Sequence, residues 1–189
     1  IIVLDAYTDA TKTEYGVKIH SIIQPAIDAT NKTYNNSLIG IELELANTIE
    51  VDYVESGDFW IDLDRFKGTT DGYMDTVHVL RDKYQADVAV LVINNPAYCG
   101  LADAILAGPN EAFCVVHWDC ATGYYSFGHE IGHLQGARHN PEADPTMTPF
   151  PYGHGFIYCP GSWRTIMSYA YPCASTRLQY WSNPDVEYG

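Results

Sequence analysis

The chain opens on an apolar run, Ile1-Ile2-Val3-Leu4, which predicts a short strand. Over residues 14–34, Val17, Ile19, Ile22, Ile23, Ile27 and Tyr34 recur close to helical spacing. Pro25 interrupts that run, where a ring without an N–H bends a helix. Residues 39–54 alternate, Ile41, Leu43 and Leu45 against Glu42 and Glu44, and predict a long half-buried strand. Residues 71–84 read as a helix with Asp71 as its cap. Two further apolar runs, 87–93 and 112–116, predict strands, and residues 122–135 predict a helix. After Gly136 the pattern breaks: Pro141, Pro145, Pro149, Pro151, Pro160, Pro172 and Pro184 all lie in the last third. An alternating α/β unit of about residues 1–136 is therefore expected above an irregular subdomain of about 137–189, with a cleft between them.

Composition narrows this picture. A chain of 189 residues, 47% hydrophobic and 18% charged, holds one substantial core, so a single domain over 1–189 and a monomer are expected. Its apolar runs are too short to span a bilayer. The net charge of −14 argues against nucleic acid and anionic membranes as partners, since both need basic patches. Asp58, Asp62, Asp64 and Asp71 form a candidate calcium cluster, although their spacing fits no EF-hand loop. The chain starts at Ile1 without a leader-like segment, which reads as a secreted, mature form whose signal and pro-segments are gone.

The sharpest chemistry lies in residues 129–139, which fit H-E-x-x-H-x-x-G-x-x-H at every fixed position. Positions i and i+4 share one helix face, so His129 and His133 can address one ion. Glu130 is turned away from that pair and is placed to reach a water on the metal. Gly136 permits the left-handed turn that brings His139 back as the third ligand. Three imidazoles and one open position describe a catalytic Zn2+ rather than a closed structural site. The five cysteines form no C-x-x-C pair. In a secreted protease they read as disulfides Cys99–Cys120 and Cys159–Cys173, with Cys114 left as a small buried hydrophobe.

About 30 residues beyond the histidines, Thr165-Ile166-Met167-Ser168-Tyr169 resembles the Met-turn of the metzincin metalloproteases. The stretches 127–140, 149–155, 163–169 and 180–184 resemble the peptidyl-Asp metalloendopeptidase (endoproteinase Asp-N) family. Residues 30–31, 52–57 and 78–82 do so as well. The resemblance implies a metzincin-like α/β (α+β) fold, with a twisted, mixed five-stranded sheet and helices above the Met-turn subdomain. It implies Met167 as a hydrophobic base under the histidines and Tyr169 as a resting zinc ligand that swings to the oxyanion. It also implies peptide or protein substrates, cut on the amino side of Asp by Glu-assisted attack of a zinc-bound water.

Reading an aspartate needs a cation in the pocket just after the scissile bond. Beyond Lys83 the only lysine or arginine residues are Arg138, Arg164 and Arg177. Arg177, then Arg164, are the candidates, because a guanidinium fork suits a carboxylate. His154 is a third, and would make the preference depend on pH. A structural salt bridge or a clamp on backbone carbonyls is the competing role for either arginine. The strand at 112–116, with Ala112 and Cys114, is expected to form the rim that pairs with extended substrate. The main alternative is a metzincin endopeptidase with a broad or apolar primed-side preference. A non-catalytic metal-binding module is disfavoured by Glu130, and the rim strand argues against a zinc hydrolase acting on other substrates.

Overall fold

The computed structural model describes residues 1–15 and 20–188. Val17 and Ile19, two positions expected on the first helix, lie outside the described residues. The first half runs β1 (Ile2–Thr8), α1 (Asp9–Tyr15), α2 (His20–Asn36), β2 (Glu44–Val51), α3 (Phe59–Lys67) and α4 (Thr76–Tyr84). Then follow β3 (Val88–Ile93), β4 (Gly100–Ala102), β5 (Phe113–His117) and α5 (Ser126–Leu134). Three two-residue strands close the chain: β6 (Ile157–Tyr158), β7 (Trp163–Arg164) and β8 (Thr176–Arg177).

The main sheet has five strands in the order β2-β1-β3-β5-β4. The first four run parallel and β4 is antiparallel to β5, which is the mixed sheet the chain was expected to form. All six residues of β3 are buried, since helices cover both faces of its parallel sheet. Val88, Val90 and Val92 join Ile23, Ile27, Phe127 and Ile131 on one face. Ala89, Leu91 and Ile93 join Phe59, Leu63, Phe66 and Val77 on the other. That double coverage explains why 87–93 reads as one unbroken apolar run.

Several expected elements are shifted. The strand predicted over 39–54 is ordered only as β2. Ahead of it, the Asn31 side chain takes both the N–H of Leu43 (2.7 Å) and its carbonyl (2.9 Å), replacing a strand partner there. The helix predicted from Asp71 begins at Thr76. Asp71 instead caps a local turn by accepting from the Tyr73 N–H at 2.9 Å, and Met74 has a φ of 50° that no helix continues through. α2 continues through Pro25. The α5 helix starts at Ser126 rather than 122, because Tyr125 takes a left-handed φ of 57°.

α3 and its N-cap carry three of the four aspartates of the candidate calcium cluster, Asp58, Asp62 and Asp64. Asp58 is the N-cap, accepting from the N–H groups of Trp60 and Ile61. Asp62 is buried, and one of its oxygens accepts from the Tyr53 hydroxyl (2.5 Å) and the Ser56 N–H (2.8 Å). Among the described residues no three of these aspartates bring ligand oxygens together as His129, His133 and His139 do their nitrogens.

The expected rim is placed differently. β5 has a strand on each side, β3 and β4, and Cys114 is fully buried between Val90 and Ala102. Ala112 and Cys114 therefore lie inside the fold, and the free edge belongs to β4. Both disulfides form as expected, Cys99–Cys120 beside β4 and Cys159–Cys173 between β6 and β8, with Cys114 as the free thiol.

One buried group works against stability. Asp5, in β1, is fully buried and neither carboxyl oxygen has a hydrogen-bond partner among the described residues. Thr48, its register neighbour in β2, also has an unpartnered hydroxyl. Burial holds the Asp5 carboxyl well above the usual carboxylate range. Above about pH 4 the unfolded chain ionises freely while the folded chain resists, so stability drains as pH rises toward the folded value. Asp5→Asn is expected to raise Tm by a few degrees at about pH 8, with little gain near pH 4. Melting curves at the two pH values check this, and an equal shift at both would show that Asp5 ionises freely in the fold.

Candidate metal centre and substrate cleft

Every residue of α5 is buried, so the sheet, α2 and the C-terminal segment fix its orientation. The helix ends in a Schellman turn. The Ala137 N–H donates to the Gly132 carbonyl and the Gly136 N–H to the His133 carbonyl, both at 2.9 Å. Gly136 sits there at φ 101°, where a side chain would be strained and a Cβ would stand 2.8 Å from the Phe150 ring. The reversal carries His139 back over the helix, as its sequence position predicts.

The three histidines converge. His129 Nε2 and His133 Nε2 each lie 3.1 Å from His139 Nε2. His129 Nδ1 lies 2.9 Å from the Ile166 carbonyl and His133 Nδ1 lies 2.8 Å from the Ala137 carbonyl. A carbonyl only accepts, so these two rings carry their proton on Nδ1 and turn a bare Nε2 inward. With His139 also bare at Nε2, three nitrogens this close would repel unless a cation lay among them. A tetrahedral Zn2+ spaces its nitrogens about 3.3 Å apart, close to the two 3.1 Å separations from His139, and all three ligand atoms lie within 4.8 Å of one another. Burial pushes the His129 ring well below its ordinary value, lowers His133, and brings His139 to about 4. All three are thus neutral and ligand-ready at neutral pH.

The surroundings hold this arrangement. The His154 Nδ1 donates to the His139 carbonyl at 2.7 Å. Asn140 is fully buried; its amide nitrogen donates to the Tyr171 carbonyl at 2.8 Å and its oxygen accepts from the Tyr169 N–H at 2.9 Å. It thereby ties the third histidine to the loop after Met167. Only its position directly after His139 could have singled it out in the sequence. Met167 is buried in the same core cluster as Ile131 and Trp181, beneath α5. The Tyr169 ring stacks on His139 with centroids 3.8 Å apart, yet is 48% exposed.

Glu130 is buried under β4. A Cβ on Gly100 would stand 2.5 Å from its carboxylate, so only glycine leaves that oxygen room. Burial raises the Glu130 carboxyl to about 8, opposed by Arg177 and by a backbone hydrogen bond from Ala102. A dication at the triad would draw that value back down.

Two cavities meet at His129, Glu130, Tyr169 and Gly100. One, of about 290 Å³, runs along Leu101–Ile105 past His133, His139 and Asp144. The other, of about 270 Å³, is walled by Tyr98, Cys99, Tyr124, Ser126 and Arg177. A family model described as metallo-peptidase family M12, of the reprolysin type, matches residues 1–182. The chain belongs to that family. It is 52% identical to a peptidyl-Asp metalloendopeptidase of Xanthomonas campestris pv. campestris over its whole length, covering 45% of that relative. It is 51% identical to one from Stenotrophomonas maltophilia, covering 46% of it. A third relative of that name, from Pseudomonas fragi, is 41% identical over 84% of this chain and 85% of its own. The chain thus spans less than half the length of the first two relatives. A chain in the structure of a chaperone-substrate complex matches 97% of this one with a TM-score of 0.76, over 32% of its own length; at 20% identity that likeness concerns the fold.

Of the three cations considered for the pocket of this M12 chain, only Arg177 lines the cleft. Its Nη1 donates to the Tyr124 carbonyl at 2.7 Å and its Nη2 to the Ser168 carbonyl at 3.2 Å. Burial, and then the charge of Arg164, lower it to about 10, so it remains a cation at neutral pH. Arg164 lies behind it, bonded to the carbonyls of Ser168 and Ser175. His154 is 8% exposed and engaged behind His139, away from both cavities. The histidine candidate fails because its chain segment pairs with Arg138 beneath the ligand, not beside the cleft.

Proposed function

We propose that the chain is a secreted, zinc-dependent endopeptidase that cuts peptide bonds on the amino side of aspartate. His129, His133 and His139 hold the metal, Glu130 is the general base, and Tyr169 steadies the oxyanion. Bound Zn2+ would lower the pKa of a coordinated water to roughly 7 and polarise the scissile carbonyl. Glu130 takes the proton of the attacking water and hands it to the leaving amine. Burial supports this role, because it raises the basicity of the carboxylate. Tyr169 suits its role by being exposed and stacked on His139, so its ring can turn without unpacking the core.

The observation that carries the aspartate reading is the direction of β4. Gly100–Ala102 is the free edge of the sheet, and an extended substrate paired antiparallel to it adds a strand there. Such a substrate passes Ala102 first and Gly100 afterwards. The residue following the scissile bond then faces the cavity lined by Cys99, Gly100 and Arg177. A guanidinium that forms no ion pair among the described residues suits an aspartate side chain at that position. The relatives that bear the name peptidyl-Asp metalloendopeptidase point the same way. Two disulfides in a 189-residue chain suit an oxidising, extracellular location.

Digestion of an unfolded protein, with and without a zinc chelator, tests the reading. Chelator-sensitive cuts are expected almost only before aspartate, as mapped by mass spectrometry. Cuts before apolar residues would leave a zinc endopeptidase and remove the aspartate preference.

A further inference from the structure

Arg164 and Arg177 occupy directly paired positions of β7 and β8, which run parallel. Register neighbours on adjacent strands project to the same face. Both side chains reach one acceptor. The Ser168 carbonyl receives the Arg177 Nη2 at 3.2 Å and the Arg164 Nε at 3.1 Å. Arg164 is anchored at its other end, where Nη1 donates to the Ser175 carbonyl and lies 3.3 Å from the Ser175 hydroxyl. The Cys159–Cys173 bridge staples the segments that carry these strands.

Neither guanidinium has a carboxylate partner among the described residues, whose ion pairs involve Lys12, Lys67 and Arg138. This is unusual in a chain with 24 acids against 10 lysines and arginines. Two like charges held side by side repel each other. Burial first, and then Arg164, lower the proton affinity of Arg177, while Glu130 and Tyr169 raise it. An anion in the Arg177 cavity would relieve that repulsion. Arg177 uses two of its five N–H donors on carbonyls and buries its Nε without a partner, which leaves one further N–H on each of Nη1 and Nη2.

We propose that Arg164 is a positioning residue for substrate selection: through the shared Ser168 carbonyl it fixes the Arg177 guanidinium in the cavity, and its own charge strengthens the preference for a short carboxylate side chain. This rests on the reading of Arg177 as the group that meets the aspartate. Arg164 itself touches no substrate. A purely structural arginine would, when lost, slow cleavage of all substrates alike. A positioning arginine would change their ratio.

The test uses the zinc-loaded chain and matched peptides with Asp, Asn or Glu after the scissile bond. Arg164→Gln is expected to lower the Asp-over-Asn ratio of kcat/KM by about tenfold, mainly through KM for the Asp peptide. Arg164→Lys keeps the charge but not the two-carbonyl fork. It is expected to recover most of the Asp-over-Asn ratio while discriminating Asp from Glu less well than the parent. Arg177→Ala, run alongside, should abolish the Asp preference. If Arg177→Ala abolishes it and Arg164→Gln leaves the ratio within about twofold, the role of Arg164 is overturned and that of Arg177 stands. If Arg177→Ala leaves the preference intact, the underlying reading fails instead. Zinc content and thermal melting report folding. Should Arg164→Gln not fold, Arg164→Lys decides, since an unchanged Asp-over-Glu ratio there also overturns the proposal.

Discussion

Replacing Glu130 with glutamine is expected to reduce kcat/KM on peptides by between about 10² and 10⁴ while zinc stays bound at one equivalent. The range is what a positioned general base contributes. Glutamine has the shape of glutamate, so it fits the space that Gly100 leaves open beneath β4. Neither of its side-chain atoms can take the proton of the attacking water. The histidine nitrogens that hold the metal are oriented by the carbonyls of Ile166 and Ala137, not by Glu130, so the triad keeps its form. Steady-state kinetics together with metal analysis checks both halves. A variant that keeps more than about a tenth of the parent rate with full zinc would place the base elsewhere.

Arg177→Ala should carry the second largest effect, a loss of roughly 2 kcal/mol or more in discrimination for Asp over Ala, about 30-fold in the kcat/KM ratio. The magnitude follows from burial. Arg177 is largely enclosed, it forms no ion pair among the described residues, though it feels the charge of Glu130, and two of its donors are held by carbonyls. A carboxylate arriving there exchanges water for a charge-assisted bond in a poorly solvated cavity, where such bonds are stronger than on a surface. The Ala peptide makes no such bond, so its rate should change far less. Equal losses on both peptides would mean that Arg177 supports the Tyr124 and Ser168 backbone rather than reading the substrate.

The metal centre was legible because its geometry is local. A helix places residues four apart on one face, and one glycine suffices to turn His139 back. The alternation of sheet and helix was legible for the same reason, since burial on both faces writes an apolar run such as 88–93. What stayed hidden depends on neighbours far away in the chain. β4 is three residues long and has no periodicity to detect, so the rim was assigned to β5, the nearest apolar run. An apolar run reports burial, and an edge differs from an interior strand only by what lies beside it. α3 carries Phe59, Leu63 and Phe66 at helical spacing, but its interleaved acids drew attention to ion binding instead. Arg177 was singled out by chemistry; its separation from Arg164 and His154 required knowing which of them faces the cleft. The bonds of Asn140 to Tyr169 and Tyr171 span about thirty residues, beyond the reach of any local pattern.

A free edge only three residues long, with helices and a bridged loop around it, has a consequence for what can be digested. Such an edge accepts a chain only in extended form, with its main-chain groups unclaimed. An aspartate inside a helix, a tight turn or an interior strand already has those groups engaged. On the proposed reading, the rate at which a folded target is cut would follow how often the segment around each aspartate opens, not how many aspartates it contains. The pattern of cuts in a native protein would then serve as a map of its least stable regions.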